Sequence, residues 1–248
     1  MRILAIDAGN SRIKWGWFEQ GRWSGRAWLA TAEAGKLGAA LAAPAPDKIV
    51  VSNVAGSAVG TAIAAALAQF ATQPRWIRSE PRQGGVTSGY RDPAQLGCDR
   101  WAALIGAWHL FRGPCVVVNA GTTMTVDALS DEGVFVGGFI VPGVELMRDS
   151  LARHTAQLER QEGRFAYFPD STADAIISGV INALAGAIER MRHYLEQTGQ
   201  PAPLIVLSGG DAALIAPQLG TRVEVVDNLV LEGLICIALD PTPVSGER

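Results

Sequence analysis

Apolar and polar positions change period several times along the chain, and each change predicts an element. RILAI (2–6) is a short apolar run of the buried-strand type. IKWGWF (13–18) and RWSGRAWL (22–29) follow as its hairpin partners, with Glu19-Gln20-Gly21 at the turn, so a three-stranded meander is expected. AEAGKLGAALAA (32–43) reads as a weak helix, DKIVVSNV (47–54) as a strand, GTAIAAALAQFA (60–71) as a helix and RWIRS (75–79) as a strand. Gly84-Gly85 through Gly89 marks a loop. Asp92-Pro93-Ala94-Gln95 then opens a helix: Asp92 suits the N-cap, Pro93 the first turn and Gln95 the capping-box position. Leu96, Ala103, Leu104, Ala107, Trp108 and Phe111 recur at helical spacing, which gives that helix one buried face.

The second half repeats the plan. CVVVNAG (115–121), MTVDAL (124–129) and VFVGGFIV (134–141) are three more strands, with Asp131-Glu132-Gly133 at a turn. A helical tract runs from about 173 to 197, LIVLSGG (204–210) is a late strand and LVLEGLICIAL (229–239) a closing helix. No low-complexity linker separates the halves, and the boundary is placed between 113 and 114. The expectation is an α/β chain of two units, 1–113 and 114–248, with mixed sheets and an internal duplication around a cleft.

Composition narrows the class. The 248 residues are 48% hydrophobic and 18% charged, enough apolar content for a sizeable core. The formal net charge of −3 and the lack of a basic run speak against nucleic acid as a partner. Cys98, Cys115 and Cys236 have no metal-like spacing, so reduced thiols in a cytoplasmic protein are expected. Asp7 interrupts the N-terminal apolar run, and stretches such as TAIAAALAQFA (61–71) fall short of a membrane span, so neither a signal peptide nor membrane partnership is expected.

The candidate chemistry lies in the repeated turn. ILAIDAGNSRIKWG (3–16) and VVVNAGTTMTVDAL (116–129) each end an apolar strand in a small-residue hairpin, Asp7-Ala8-Gly9-Asn10-Ser11 and Asn119-Ala120-Gly121-Thr122-Thr123. Such a hairpin gathers backbone N–H groups into an anion-binding concavity. Gly9 and Gly121 permit positive φ and close approach, while Ser11, Thr122 and Thr123 add hydroxyls. Asp7 suits a hard cation such as Mg²⁺. Taken singly, each turn is equally an ordinary hairpin with an Asx-type turn; the repetition in register favours the binding reading. Leu207-Ser208-Gly209-Gly210-Asp211-Ala212 follows a strand and opens a helix, where ligands often sit in α/β proteins. Asp99, spaced with Leu96 and Ala103, points inward and is either a general base or a carboxylate paired with an arginine. His109, His154 and His193 have no metal partner at helical spacing, and the alternating Trp15 and Trp17 read as packing.

Six segments in order carry a resemblance: IDAGNSRIKWG (6–16), GYRDPAQLGCDRWAAL (89–104), VVNAGTTMTVDAL (117–129), GGFIVPGVELMRDSL (137–151), STADAIISGV (171–180) and LSGGDA (207–212). Together the chain resembles the type III pantothenate kinases, of the actin-like ATPase superfamily that also holds sugar kinases, acetate kinase and heat-shock chaperones. The resemblance implies two duplicated ribonuclease H-like, actin-like units flanking a nucleotide cleft. It implies ATP-dependent phosphorylation of pantothenate to 4'-phosphopantothenate, the first step of coenzyme A biosynthesis. By the same resemblance Asp7, Ala8, Gly9, Asn10, Ser11, Arg12, Ile13 and Lys14 would line the ATP phosphates, Asp7 would help bind Mg²⁺, and Thr122 would contact ATP. Tyr90, Gly97, Cys98, Asp99 and Arg100 would form the pantothenate pocket, with Asp99 taking the proton from the primary hydroxyl. Thr172 would reach the pantothenate of a neighbouring subunit in a homodimer. The family's monovalent cation, K⁺ or NH₄⁺, is bound by an Asp at the position that Asn119 occupies here, a departure that puts this cation in doubt; Ser11 also replaces the usual Thr. A sugar or acetate kinase of the same superfamily, or a protein that binds ATP only as a switch, are the rival readings.

Overall fold

The computed structural model describes residues 1–41, 44–155, 158 and 160–240. The chain begins with the meander: β1 (Arg2–Ala8), β2 (Arg12–Glu19) and β3 (Arg22–Ala30) pair antiparallel in order. A 3₁₀ turn (Thr31–Lys36) and α1 (Leu37–Ala40) stand where one helix over 32–43 was expected; Glu33 leaves helical geometry, and residues 42–43 lie outside the described residues. β4 (Lys48–Asn53), α2 (Ser57–Leu67) and β5 (Pro74–Trp76) follow, β4 lying parallel to β1 and β5 parallel to β4. The stretch expected to be a loop holds a small hairpin, β6 (Arg82–Gln83) and β7 (Val86–Ser88), because Gly84 and Gly85 adopt φ of 55° and 82° and turn the chain tightly.

The helix expected from Asp92 onward is two pieces. Asp92 does cap, its Oδ1 accepting the Ala94 N–H at 3.0 Å, but it caps a 3₁₀ turn (Pro93–Gln95). Leu96 is extended and is held there by Ser79, whose hydroxyl donates to its carbonyl. α3 (Cys98–Phe111) begins only after Gly97, so Asp99 sits in the first turn of a fresh helix.

β8 (Cys115–Ala120), β9 (Thr123–Leu129) and β10 (Val134–Pro142) repeat the meander. α4 (Val144–His154), a helix not expected from the sequence pattern, α5 (Thr172–Gln197), β11 (Leu204–Ser208), the single turn α6 (Ala212–Ile215), β12 (Val223–Val225) and α7 (Leu229–Leu239) complete the chain. Two compact units result. In the first, the strand order is β3-β2-β1-β4-β5; in the second, the corresponding five strands run β10-β9-β8-β11-β12. In both, the first three strands are antiparallel neighbours and the last two join in parallel.

One face of the first sheet buries Leu4, Ile6, Ile13 and Val51 against Ile63 and Leu67 of α2. One face of the second buries Val118, Met124 and Val126 against Ile181, Leu184 and Ile188 of α5. α5 has the length and composition to cross a membrane, but its buried residues recur along one face, which is spent on its own sheet.

The division differs from the expected one at the end of the chain. α7 groups with the first unit, not the second. The reason is backbone contact with α3: a Cβ on Gly233 would lie 1.7 Å from the Ala102 carbonyl oxygen, and one on Gly106 2.8 Å from that of Leu229. Only glycines let two helices approach this closely. Lys48 and Arg75 donate to the last carbonyls of α7, Ala238 at 2.7 Å and Ile237 at 3.1 Å, satisfying groups a helix end leaves open.

Candidate active site

In the first unit the site grows from the end of β1. Cross-strand partners share a face of a sheet, so Asp7 stands in a row with Lys14 of β2 on one side and Ser52 of β4 on the other. Ser52 is fully buried, and its Oγ lies 3.4 Å from the Cys98 Sγ at the start of α3. Asp7 is part-buried as a residue, but its Oδ1 is out of reach of solvent and has no hydrogen-bond partner. Burial pushes the Asp7 carboxyl up to about 7; the Asp99 charge adds to this, while Lys14 and a hydrogen bond with Ser52 oppose it.

Asp99 is half-buried, and its Oδ1 accepts the Arg100 backbone N–H at 2.8 Å. Its inward position comes from the first turn of α3, not from the continuous helix through Leu96 that the spacing implied. Burial raises its carboxyl above the usual carboxylate range, against the Arg100 N–H and charge. Arg100 is buried and donates to the Tyr90 hydroxyl at 3.4 Å. Trp101, fully buried, donates its Nε1–H to Gln83 Oε1 at 2.9 Å and fixes α3 on the β6–β7 hairpin that leads to Tyr90. A Cβ on Gly97 would meet Asp99 Oδ1 at 2.7 Å, so glycine is what leaves that carboxylate room. Asp7, Lys14, Tyr90, Gly97, Cys98, Asp99 and Arg100 are thus assembled within one unit.

The rest of the first turn divides by side chain. Ala8 and Ile13 are in the core and offer only backbone. Asn10, Ser11 and Arg12 are exposed, and the Arg12 guanidinium lies over the Trp28 ring at 4.3 Å. Gly9 and Gly121 do not use the freedom expected of them. Neither has positive φ, and a Cβ would meet only ordinary contacts, at 3.5 Å and 3.8 Å. Their own fold does not require glycine; a bare backbone leaves space over the turn for a ligand.

In the second unit Asn119 ends β8 between Thr125 and Ser208. Thr125 is buried, and its Oγ1 has no partner. Thr122 is exposed at the tip of the turn. Gly143 and Gly209 press on this turn: a Cβ on Gly143 would lie 2.0 Å from the Gly121 oxygen, and one on Gly209, at φ 108°, 2.1 Å from the Ala120 oxygen. Thr172 opens α5 beside its N-cap Ser171 and lines an apolar groove of about 580 Å³ with Met147, Leu151, Ile176, Val180 and Ala183. Reading the sequence missed Ser52, although a hydroxyl closing the apolar run of β4 was the available signal, and missed the pressing role of Gly143.

A meander continued by two parallel strands, with a small-residue turn ending its first strand, is the α/β fold of the actin, HSP70 and sugar-kinase superfamily. Solved structures with this fold include a Campylobacter jejuni protein assigned to the Baf family of transcriptional activators, 21% identical with a TM-score of 0.60, covering 94% of this chain and 96% of that one. Another is the ethanolamine utilization protein EutJ of Carboxydothermus hydrogenoformans, 16% identical with a TM-score of 0.55, covering 96% and 89%. The family model for type III pantothenate kinase matches residues 3–194. The type III pantothenate kinase of Nitrosospira multiformis is 47% identical over 95% of this chain and 90% of its own, and that of Aromatoleum aromaticum 49% identical over 95% and 97%. The chain belongs to the type III pantothenate kinase family. It is an enzyme, a phosphotransferase that uses ATP to convert pantothenate to 4'-phosphopantothenate.

Proposed function

We propose that Asp99 is the general base of this reaction and that the row Lys14–Asp7–Ser52 serves the phosphates of ATP. The observation that carries this reading is the placing of two carboxylates on one buried cluster, with Asp99 close enough to raise the Asp7 pKa. Phosphoryl transfer passes through a loose transition state and asks mainly for positioning and charge. The pantothenate oxygen bonds to the γ-phosphorus, the bond to the β-phosphate oxygen breaks, and the hydroxyl proton passes to Asp99 as ADP leaves. A carboxylate whose pKa is raised by burial is the better acceptor. Asp7 through Lys14 and Thr122 serve ATP; Tyr90, Gly97, Cys98 and Arg100 shape the pantothenate pocket beside Asp99. The two units are read as ribonuclease H-like halves of a duplicated chain, supported by their shared strand order.

Mg²⁺ fits Asp7. Among the described residues no three His, Cys, Asp or Glu side chains converge on a metal, but Mg²⁺ bound with a nucleotide takes one or two carboxylates and otherwise phosphate oxygens and water. The buried Oδ1 without a partner is the protein's share. When bound, the ion neutralises phosphate charge. Cys98, Cys115 and Cys236 are not joined in disulfides, which suits a cytoplasmic place of action.

The second copy of this chain is the proposed occupant of the apolar groove beside Thr172. Supporting it, Tyr167 and Phe168, just before α5, are 82% and 94% exposed. Thr172→Ala should raise the pantothenate KM roughly 3- to 10-fold, the worth of one hydrogen bond, and leave the ATP KM alone. Specific activity should fall on dilution through a monomer transition seen by sedimentation; constant activity through it excludes a shared pocket. ADP formation with and without pantothenate tests the reaction itself. Release that does not need pantothenate, or that a sugar or acetate supports equally, sinks the reading.

A further inference from the structure

Ser52 has so far been given a place in the row beside Asp7 but no task of its own, although it also meets the start of α3 through Cys98. It is fully buried, it is the register partner of Asp7 across the parallel pair β1–β4, and its Oγ is 3.4 Å from Cys98 Sγ. A buried hydroxyl carries one proton and must be given a direction by its neighbours. The Cys98 sulfur is approached by the Asn53 backbone N–H, and burial holds the thiol protonated. Either atom of that pair can donate; with the thiol proton on the Ser52 oxygen, the Ser52 proton is left for the Asp7 carboxylate, its register neighbour, whose raised pKa the hydroxyl helps to hold down. The chain of donors runs Asn53 N–H, Cys98 S–H, Ser52 O–H, Asp7.

Its consequence lies at the other oxygen of Asp7. A carboxylate held at one oxygen cannot turn freely, and Oδ1 is left buried and without a partner. Lys14 on the opposite side of the row supplies charge; Ser52 supplies direction. We propose that Ser52 is a positioning residue that locks the Asp7 carboxylate with Oδ1 toward the nucleotide-bound cation, and that the Cys98 thiol orients Ser52 for this task. The device ties the phosphate turn of β1 to the first turn of α3, so that the cation ligand and Asp99 are set by one hydrogen-bonded string. It rests on the reading of Asp7 given above. Partners behind a metal ligand typically matter 10- to 100-fold in affinity, although they never touch the ion.

The test uses Mn²⁺ as the probe, titrated into the full chain with a non-hydrolysable ATP analogue and followed by electron paramagnetic resonance of the free ion. Ser52→Ala should raise the Mn²⁺ Kd roughly 10-fold while the pantothenate KM stays at the wild-type value. Cys98→Ala should raise the Kd by a smaller factor, and Cys98→Ser, which keeps a donor, should restore it. Asp7→Asn is the control that separates the two claims. If it leaves the Kd unchanged, the reading of Asp7 itself is wrong. If it weakens binding while a Ser52→Ala protein of wild-type melting temperature binds Mn²⁺ normally, the positioning role alone is overturned. Should Ser52→Ala fail to fold, the cysteine pair decides: equal Kd values for Cys98→Ala and Cys98→Ser end the proposal.

Discussion

At the end of β1, Asp7 stands between Lys14 and Ser52; at the end of β8, Asn119 stands between Thr125 and Ser208. The backbones around them make corresponding bonds, through a turn one residue shorter at the second. Gly9 N–H meets the Arg12 carbonyl at 3.0 Å and Gly121 N–H that of Thr123 at 3.2 Å. Val54 N–H meets Ala8 O and Asp211 N–H meets Ala120 O, at 3.0 Å and 3.1 Å. Thr31 N–H meets Ser11 O and Gly143 N–H meets Thr122 O, each at 3.0 Å. What differs is the side chains. The first row carries a lysine and a carboxylate with a second carboxylate nearby; the second row carries only neutral oxygens and an amide. Similar backbone turns thus carry different side chains, and the charged groups have gathered at one of them.

If the acid–base work belongs to the first copy alone, Asp99→Asn should cause the largest loss of all. Removing a positioned base lowers kcat by roughly 10²–10⁴-fold. Circular dichroism and nucleotide affinity should stay near wild type, because Asn still accepts the Arg100 N–H that Asp99 Oδ1 accepts now. A variant retaining more than half of the wild-type kcat with pantothenate would break the comparison at its main point.

Asp7→Asn sharpens it from the side of stability, since it makes the first row resemble the second. With the folded pKa raised to about 7 from an ordinary 3.8, the folded state binds the Asp7 proton more tightly than the unfolded chain does. Stability is therefore lost as pH rises through 3.8 and the loss is complete above about 7. The nucleotide-free Asn variant should be more stable than wild type at pH 8, by on the order of 1–4 kcal/mol, with the gain vanishing toward pH 4. Denaturant melts at the two pH values measure this. A gain independent of pH, or a loss at pH 8, would mean that the carboxylate is not held at a cost.

How far the sequence carried this picture depends on what kind of signal each residue gives. The two meanders were legible because alternation and turn residues are local, and the strand pairings follow them in order. Asp7, Asp99 and the turn residues were legible because polar groups at strand ends or on a helix face stand out. The break at Leu96–Gly97 was not, because helical spacing continues across it and only the distant Ser79 hydroxyl holds the extended residue. The return of α7 to the first unit was not legible either; it depends on Gly106 meeting Gly233, 127 positions further along the chain, a pairing no local pattern encodes. Ser52 was hidden for the same reason: its meaning comes from lying beside Asp7 and Cys98, 45 and 46 positions away.

The smallest expected effect comes from moving the comparison in the other direction, with Asn119→Asp. The family resemblance implies a monovalent cation beside an aspartate at this place, and here the amide brings oxygen without charge. A unit charge 4 Å away is worth about 4 kcal/mol at an effective dielectric near ~20, before the cost of stripping water from the ion is subtracted. The neutral row Thr125–Asn119–Ser208 should thus hold K⁺ weakly, and wild-type rate should respond little to KCl when ionic strength is kept constant with a bulky organic cation. A new carboxylate at 119 would have no lysine in the place that Lys14 takes beside Asp7, since the corresponding neighbour is Thr125. Left alone it should lower the melting temperature, and K⁺ should restore it by supplying the missing positive charge, with a K⁺ dependence of rate of a few-fold appearing alongside. Thermal melts of wild type and variant in KCl and in the organic salt read the first effect without relying on turnover. Steep activation of the wild type at low millimolar K⁺ would show that neutral oxygens suffice, and that the change from acid to amide between the two turns has no bearing on cation binding.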